Sequence, residues 1–163
     1  MELSKLFRMQ QSLDGYIEKE HGLEEEDLLD KKLLAFLVEA GELANETRCF
    51  KFWSVKGPSE REVILEEFVD GVHFILSIGL ECALEEKAYL MEDYEGAESA
   101  VEQFLTVYES AVQFKQTKNL TAYNELLNGY FALGRLLGFS LEEVEQAYKV
   151  KNDINYERQQ KGY

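Results

Sequence analysis

The sequence predicts an all-α fold, a bundle of about six helices, on three observations. A single proline stands in 163 residues, so little interrupts a helix. Leu, Glu, Ala and Lys, all strong helix formers, are abundant. Apolar residues recur at helical spacing, and no stretch alternates apolar and polar positions for long enough to make a strand.

Each element follows from local signals. The first helix runs from Glu2 to Glu20 with Leu3, Leu6, Phe7, Leu13 and Ile17 as its inward stripe, and it stops at His21-Gly22. The second runs from Asp27 to Cys49. Residues 50 to 58, Phe-Lys-Phe-Trp-Ser-Val-Lys-Gly-Pro, bring the only Trp and the only Pro together with two lysines and break the pattern. Ser59 with Glu62 three residues on reads as a capping box that opens a third helix, ending near Leu84. After the acidic tract Glu85 to Glu95, helices follow over Gly96 to Gln116 and Thr121 to Leu137, the second stopped by Gly138. Ser140 and Glu143 form another capping box for a last helix that enters the polar, basic end Lys149 to Gly162. Residues 50 to 58 are the one loop of moderate length, where function is expected.

Composition narrows the function. With 45% hydrophobic residues the chain buries one core and makes a single domain over residues 1–163. A net charge of −15 leaves no basic stripe for a nucleic-acid backbone. Cys49 and Cys82 are isolated and match neither a disulfide framework nor a zinc spacing, which suits structural thiols in a reducing cytosol. The start of the chain has no signal-peptide core, and no apolar run is long enough to span a membrane, so a cytoplasmic protein without membrane contact is expected.

Two acid pairs carry the chemistry. Glu39 and Glu42, then Glu67 and Asp70, are each spaced i,i+3, so each pair leaves one face of its helix about a turn apart. Among 32 acidic residues such a match is often a solvated face. The helix that carries Glu67 and Asp70, however, is apolar nearly all round, which implies burial. Between Arg61 and Lys87 it offers no Lys or Arg as a local partner. Converging buried acids need a multivalent cation, and Mg²⁺ held by carboxylates can neutralise phosphates and activate water. The chain therefore reads as a metal-dependent hydrolase of a phosphate ester or anhydride.

Other residues are open between substrate contact and packing. Trp53, in the aromatic loop, either stacks on a base or plugs the bundle end. Lys151, Asn155 and Arg158 share a helical face suited to phosphate oxygens, or are a solvated helix end. Gln11 and Asp14 share a face near the start, as a substrate contact or a polar pair at the edge of the core. His21 and His73 stand apart in sequence and receive no catalytic role.

Taken together, Glu39-x-x-Glu42, Glu66-Glu67-x-x-Asp70, the intervening Trp53 and the ending Lys151-Asn-Asp-Ile-Asn155-Tyr-Glu-Arg158-Gln-Gln-Lys-Gly-Tyr163 resemble the dimeric all-α dUTPases, relatives of the MazG-like pyrophosphohydrolases. The resemblance implies a homodimer around a four-helix metal-binding core and Mg²⁺-dependent hydrolysis of dUTP to dUMP and pyrophosphate, with Mn²⁺ as a substitute ion and dUDP use left open. It implies Glu39, Glu42, Glu67 and Asp70 as metal ligands, with Glu39 or Glu42 as general base. Gln11, Asp14, Trp53 and Phe74 would lie near the uracil and deoxyribose, and Lys151, Asn155, Arg158 and Tyr163 near the phosphates and sugar. Residues 151–163 would be a mobile segment that closes over substrate. Asp14 departs from the family pattern, where Asn is expected. A pyrophosphohydrolase for another nucleotide and a non-catalytic helical partner-binding protein are the rival readings.

Overall fold

The computed structural model describes residues 1–162, so the expected contact of Tyr163 lies outside the described residues. Its six helices are α1 (Leu3–His21), α2 (Leu29–Thr47), α3 (Arg61–Glu81), α4 (Ala100–Thr117), α5 (Leu120–Leu136) and α6 (Leu141–Gln160). Among the described residues there is no strand, and the expected fold class and order of elements are met. Helix α1 ends as expected at Gly22, whose left-handed backbone (φ 64°) lets its N–H return to the carbonyls of Glu18 and Lys19.

Differences from expectation sit at helix starts and in one loop. The capping box at Ser140 forms, Ser140 Oγ accepting from the Glu143 N–H at 3.2 Å and Glu143 Oε2 from the Ser140 N–H at 2.9 Å. The box expected at Ser59 does not. Glu60 takes the N-cap position of α3 without a side-chain bond. The Ser59 hydroxyl donates instead to Glu46 Oε2, and its N–H donates to the Glu46 carbonyl at 3.0 Å. Ser59 thus fastens the loop to the last turn of α2 rather than capping α3. Ser99 and Asn119 cap α4 and α5, which shifts both starts from the expected positions.

The longest irregular segment is residues 82–99 rather than 50–58. Buried amides hold it. Asn128 Oδ1 accepts from the Met91 N–H at 2.7 Å, and Gln103 Oε1 accepts from the Ala97 N–H at 2.7 Å. These amides satisfy loop backbone groups that would otherwise lose water without a partner.

Helix α3 is the centre of the bundle and packs on α1, α2, α5 and α6. Toward α5 the contact runs through two buried phenols, for which Gly71 and Gly79 leave room. Tyr130 donates to the Phe68 carbonyl and Tyr123 to the Ile75 carbonyl, both at 2.9 Å. A Cβ at either glycine would collide with these rings. Tyr130 also stacks on Phe68, with centroids 4.7 Å apart. With α5 covering this side, Glu67, Asp70, His73 and Ser77 meet α1, α2 and α6 on the other.

Candidate active site

Glu39 of α2 and Glu67 and Asp70 of α3 each place a carboxylate oxygen within 4.8 Å of the others. All three are half-buried. Burial, then the charges of Asp70, Glu42 and Glu67, push Glu39 up to about 7. Burial first, then Asp70, raises Glu67 as well. Asp70 is also raised by burial, although Lys151 opposes the shift. Such shifts mark negative charge short of compensation. Glu42, one turn along α2, is exposed and stands outside the trio, yet its charge adds to the shifts of Glu39 and Glu67.

The resident cation is Lys151 of α6. Its Nζ lies 2.7 Å from Asp70 Oδ2 and 2.7 Å from Glu66 Oε1, with the side chain 7% exposed. Burial alone would lower this ammonium, but its bonds to Asp70 and Glu66 hold it above its ordinary value. Glu39 and Glu67 have no ion pair among the described residues.

A cavity of about 270 Å³ opens beside the acids, between α1, α3 and α6. From Asp70 through His73 and Phe74 to Ser77, its α3 wall runs two turns, about 10 Å. Glu39 and Asp70 stand at one end, and Asp14 and Ser77 at the other. Gln10, Asn155 and Arg158 complete the wall.

Most of the residues expected from sequence converge here. Glu39, Asp70, Asp14, Phe74, Asn155 and Arg158 line the cavity, and Glu67 and Lys151 touch its acidic end. Gln11 does not. It is exposed and lines a separate depression with Glu18, Lys32 and Glu81, while its neighbour Gln10 is buried in the cavity wall. Trp53 also lies off the cavity, 65% exposed on the loop after α2, edge-on to Phe50 and Phe52. Residues 151 to 160 are helical and continue α6, so Lys151 already has partners within the chain.

Sequence reasoning missed His73, Gln10, Ser77 and Tyr148. Gln10 Oε1 lies 2.8 Å from His73 Nδ1 and accepts from the Tyr148 hydroxyl at 2.7 Å. Gln10 Nε2 donates to Asp14 Oδ1 at 2.7 Å, and Ser77 Oγ donates to Asp14 Oδ2 at 2.5 Å. Burial, then the charge of Lys151, pushes His73 down to about 3, so the ring is neutral. A signal existed. His73 and Ser77 follow Asp70 by three and seven positions, on the same helical face.

The donor set suits a hard divalent ion, since it consists of carboxylate oxygens and contains neither thiolate nor imidazole. No helix of the described residues is long and apolar enough to cross a membrane. No curated protein matches the chain significantly. A family model described as dUTPase matches residues 2–163, nearly the full length, and dUTPases generally use a divalent metal. Acid trio, cavity and full-length match agree: the chain belongs to the all-α dUTPase family and is a dUTP diphosphatase, hydrolysing dUTP to dUMP.

Proposed function

We propose that Glu39, Glu67 and Asp70, joined by Glu42, hold Mg²⁺, with Mn²⁺ able to replace it, and that the anhydride between the α and β phosphates of dUTP is cleaved beside them. The observation that carries this reading is three converging carboxylates, two of them without an ion pair among the described residues, at one end of a cavity of about 270 Å³. The ion, when bound, neutralises phosphate charge and makes water a better nucleophile. Glu39, half-buried at the cavity wall where Glu42 is exposed and outside the trio, takes the proton of the attacking water. Water adds to phosphorus, the anhydride bond breaks, and pyrophosphate departs with its charge met by Lys151 and Arg158.

Phe74 and the Gln10–Asp14 end receive the uracil and deoxyribose, Gln10 taking the role expected of Gln11. Asn155 stands between the two ends for the sugar. Trp53 reaches a base only through movement of its loop or delivery by a second copy. A homodimer is supported by apolar side chains left exposed on α2 and α4: Leu34, Val38, Leu105 and Val112. Tightening of the end of α6, with Lys151 passing from Asp70 to phosphate, is the closing step. Two free cysteines suit a cytoplasmic, reducing setting.

The test is a panel of dUTP, dUDP, dCTP, dTTP and UTP with pyrophosphate or phosphate detection, with and without Mg²⁺. Turnover confined to dUTP, with or without dUDP, and lost in chelator is expected. Equal turnover of other nucleotides would favour a broader pyrophosphohydrolase.

A further inference from the structure

Lys151 stands in the wall between two hollows. On one side lies the cavity lined by Glu39 and Asp70. On the other, a groove of about 430 Å³ runs between α3 and α6, lined by Leu65, Glu66, Val69, Val150 and Ile154 together with Lys151 itself. The lysine has one carboxylate partner on each side, Asp70 Oδ2 at the cavity and Glu66 Oε1 at the groove, both at 2.7 Å. Glu66 and Asp70 are spaced i,i+4 on α3, so one face of one helix offers the ammonium two holds a turn apart.

The two partners are not equivalent. Asp70 belongs to the trio with Glu39 and Glu67, and Glu66 does not. Lys151 is buried while Glu66 is exposed. A buried ammonium that loses every partner is strongly destabilising, whereas one that keeps a partner is not left uncompensated. A divalent ion that takes Asp70 removes one of the two carboxylates on Lys151, and Glu66 is the one that remains.

We propose that Glu66 is a positioning residue that acts through Lys151: it holds the ammonium while Asp70 passes from lysine to metal, so that the trio opens to a divalent ion without stranding a buried charge and the cation stays in the cavity wall for the phosphates. The proposal rests on the reading of the trio as the metal site; the two bonds of Lys151 do not. In Glu66→Gln the ammonium has Asp70 alone, so an incoming ion must expel it toward water or bind beside its charge. Because Glu66 is exposed, this variant leaves the packing of the bundle as it is. Glu66 also attracts a cation directly, since its charge is felt at Glu67 and Asp70. The test must separate that direct attraction from an effect carried by the lysine.

A double-mutant cycle does so. Mn²⁺ is titrated by electron paramagnetic resonance into the full chain without nucleotide, in the native form, Glu66→Gln, Lys151→Met and the double variant. Glu66→Gln should weaken Mn²⁺ binding about threefold more in the native background than beside Lys151→Met, which is the size of coupling expected of residues in contact. Equal losses in the two backgrounds would mean direct attraction alone and overturn the proposal. Absence of Mn²⁺ binding by the native chain would overturn the metal reading and the proposal with it, so the two failures are told apart. A second measurement uses Glu66→Gln by itself. In ¹H–¹⁵N spectra of the lysine side chains, with Lys151 identified by the signal that Lys151→Arg removes, the ammonium should remain visible in the native chain when Mg²⁺ is added at a concentration that displaces Mn²⁺. The same addition should remove it from Glu66→Gln, where nothing then shields its protons from exchange with water. A Lys151 signal that survives Mg²⁺ in the variant, or one that disappears from the native chain, overturns the role assigned to Glu66.

Discussion

Two acid clusters lie along one seam between α2 and α3, and they are compensated in opposite ways. Lys32 and Glu39 are seven residues apart on α2, and Asp70 and Glu81 eleven apart on α3, so the same two helical faces build both. At one end Lys32 touches three carboxylates, Glu81 at 2.6 Å, Glu18 at 3.0 Å and Asp14 at 3.8 Å. At the other, Lys151 holds Asp70 and Glu66, and Glu39 and Glu67 have no ion pair among the described residues. Buried acids gathered on a resident cation form a structural joint between helices. Half-buried acids left short of one are the proposed site for a cation from outside, and burial, then the repulsion among them, lifts Glu39 to about 7.

The comparison predicts effects of opposite sign. Glu39→Gln keeps shape and helix propensity but deletes a ligand charge, so dUTP turnover should fall about a hundredfold or more. In chelator, the same variant should resist denaturant better than the native chain, because a neutral amide relieves like-charge repulsion. Lys32→Met should do the reverse to stability. It leaves Asp14, Glu18 and Glu81 around an apolar side chain, a loss of about 3 kcal/mol of folding free energy. Urea melts in chelator measure both variants; shifts of the same sign would erase the distinction between the clusters.

A pH series probes the charge state of Glu39. Glu39 has a folded value of about 7 against 4.5 for an unperturbed glutamate. Between these values the folded chain holds a proton that the unfolded chain has released, so in chelator the contribution of Glu39 to stability falls as pH rises through that window and is level above it. A divalent ion binds the ionised form, so the gain in Tm from added Mg²⁺ should grow across the same window. Thermal melts at about pH 5.5 and about pH 8, in Mg²⁺ and in chelator, provide the check. An equal gain at both values would remove Glu39 from the set of ligands.

What was legible in the sequence was what neighbours in the chain decide. Helical periodicity, the Ser140 capping box and the i,i+3 acid pairs are local, and the apolar surroundings of Glu67 and Asp70 announce their burial without any knowledge of packing. The rest depends on partners far along the chain. His73 acquires meaning from Gln10, 63 positions away. Adjacent glutamines are indistinguishable until α3 and α6 select Gln10 and leave Gln11 outside. Ser59 resembles a cap until Glu46 claims its hydroxyl. Lys151 reads as a phosphate-facing or solvated helix-end cation, and only the packing of α6 on α3 brings it to Asp70, across 85 positions from Glu66.

Lys151 itself gives the smallest and most discriminating expected effect. Unlike Lys32, it shares its charge with a largely solvated acid, since the Glu66 side chain is 55% exposed, against 19% for Asp70. Its loss should therefore cost less stability than the loss of Lys32. Its Nζ also bonds a carboxylate of the proposed metal site, so on that reading ammonium and metal compete for Asp70 in the absence of nucleotide. In Lys151→Met, Mn²⁺ alone should bind more tightly, by about two- to fivefold, the scale of one partly screened ion pair. The KM for dUTP should rise in the same variant, because the cation for the phosphates is gone. Titration of Mn²⁺ by electron paramagnetic resonance reads the first effect without any turnover. Weaker Mn²⁺ binding would show that Lys151 organises the acids as Lys32 does, and the two ends of the seam would then differ in degree rather than in kind.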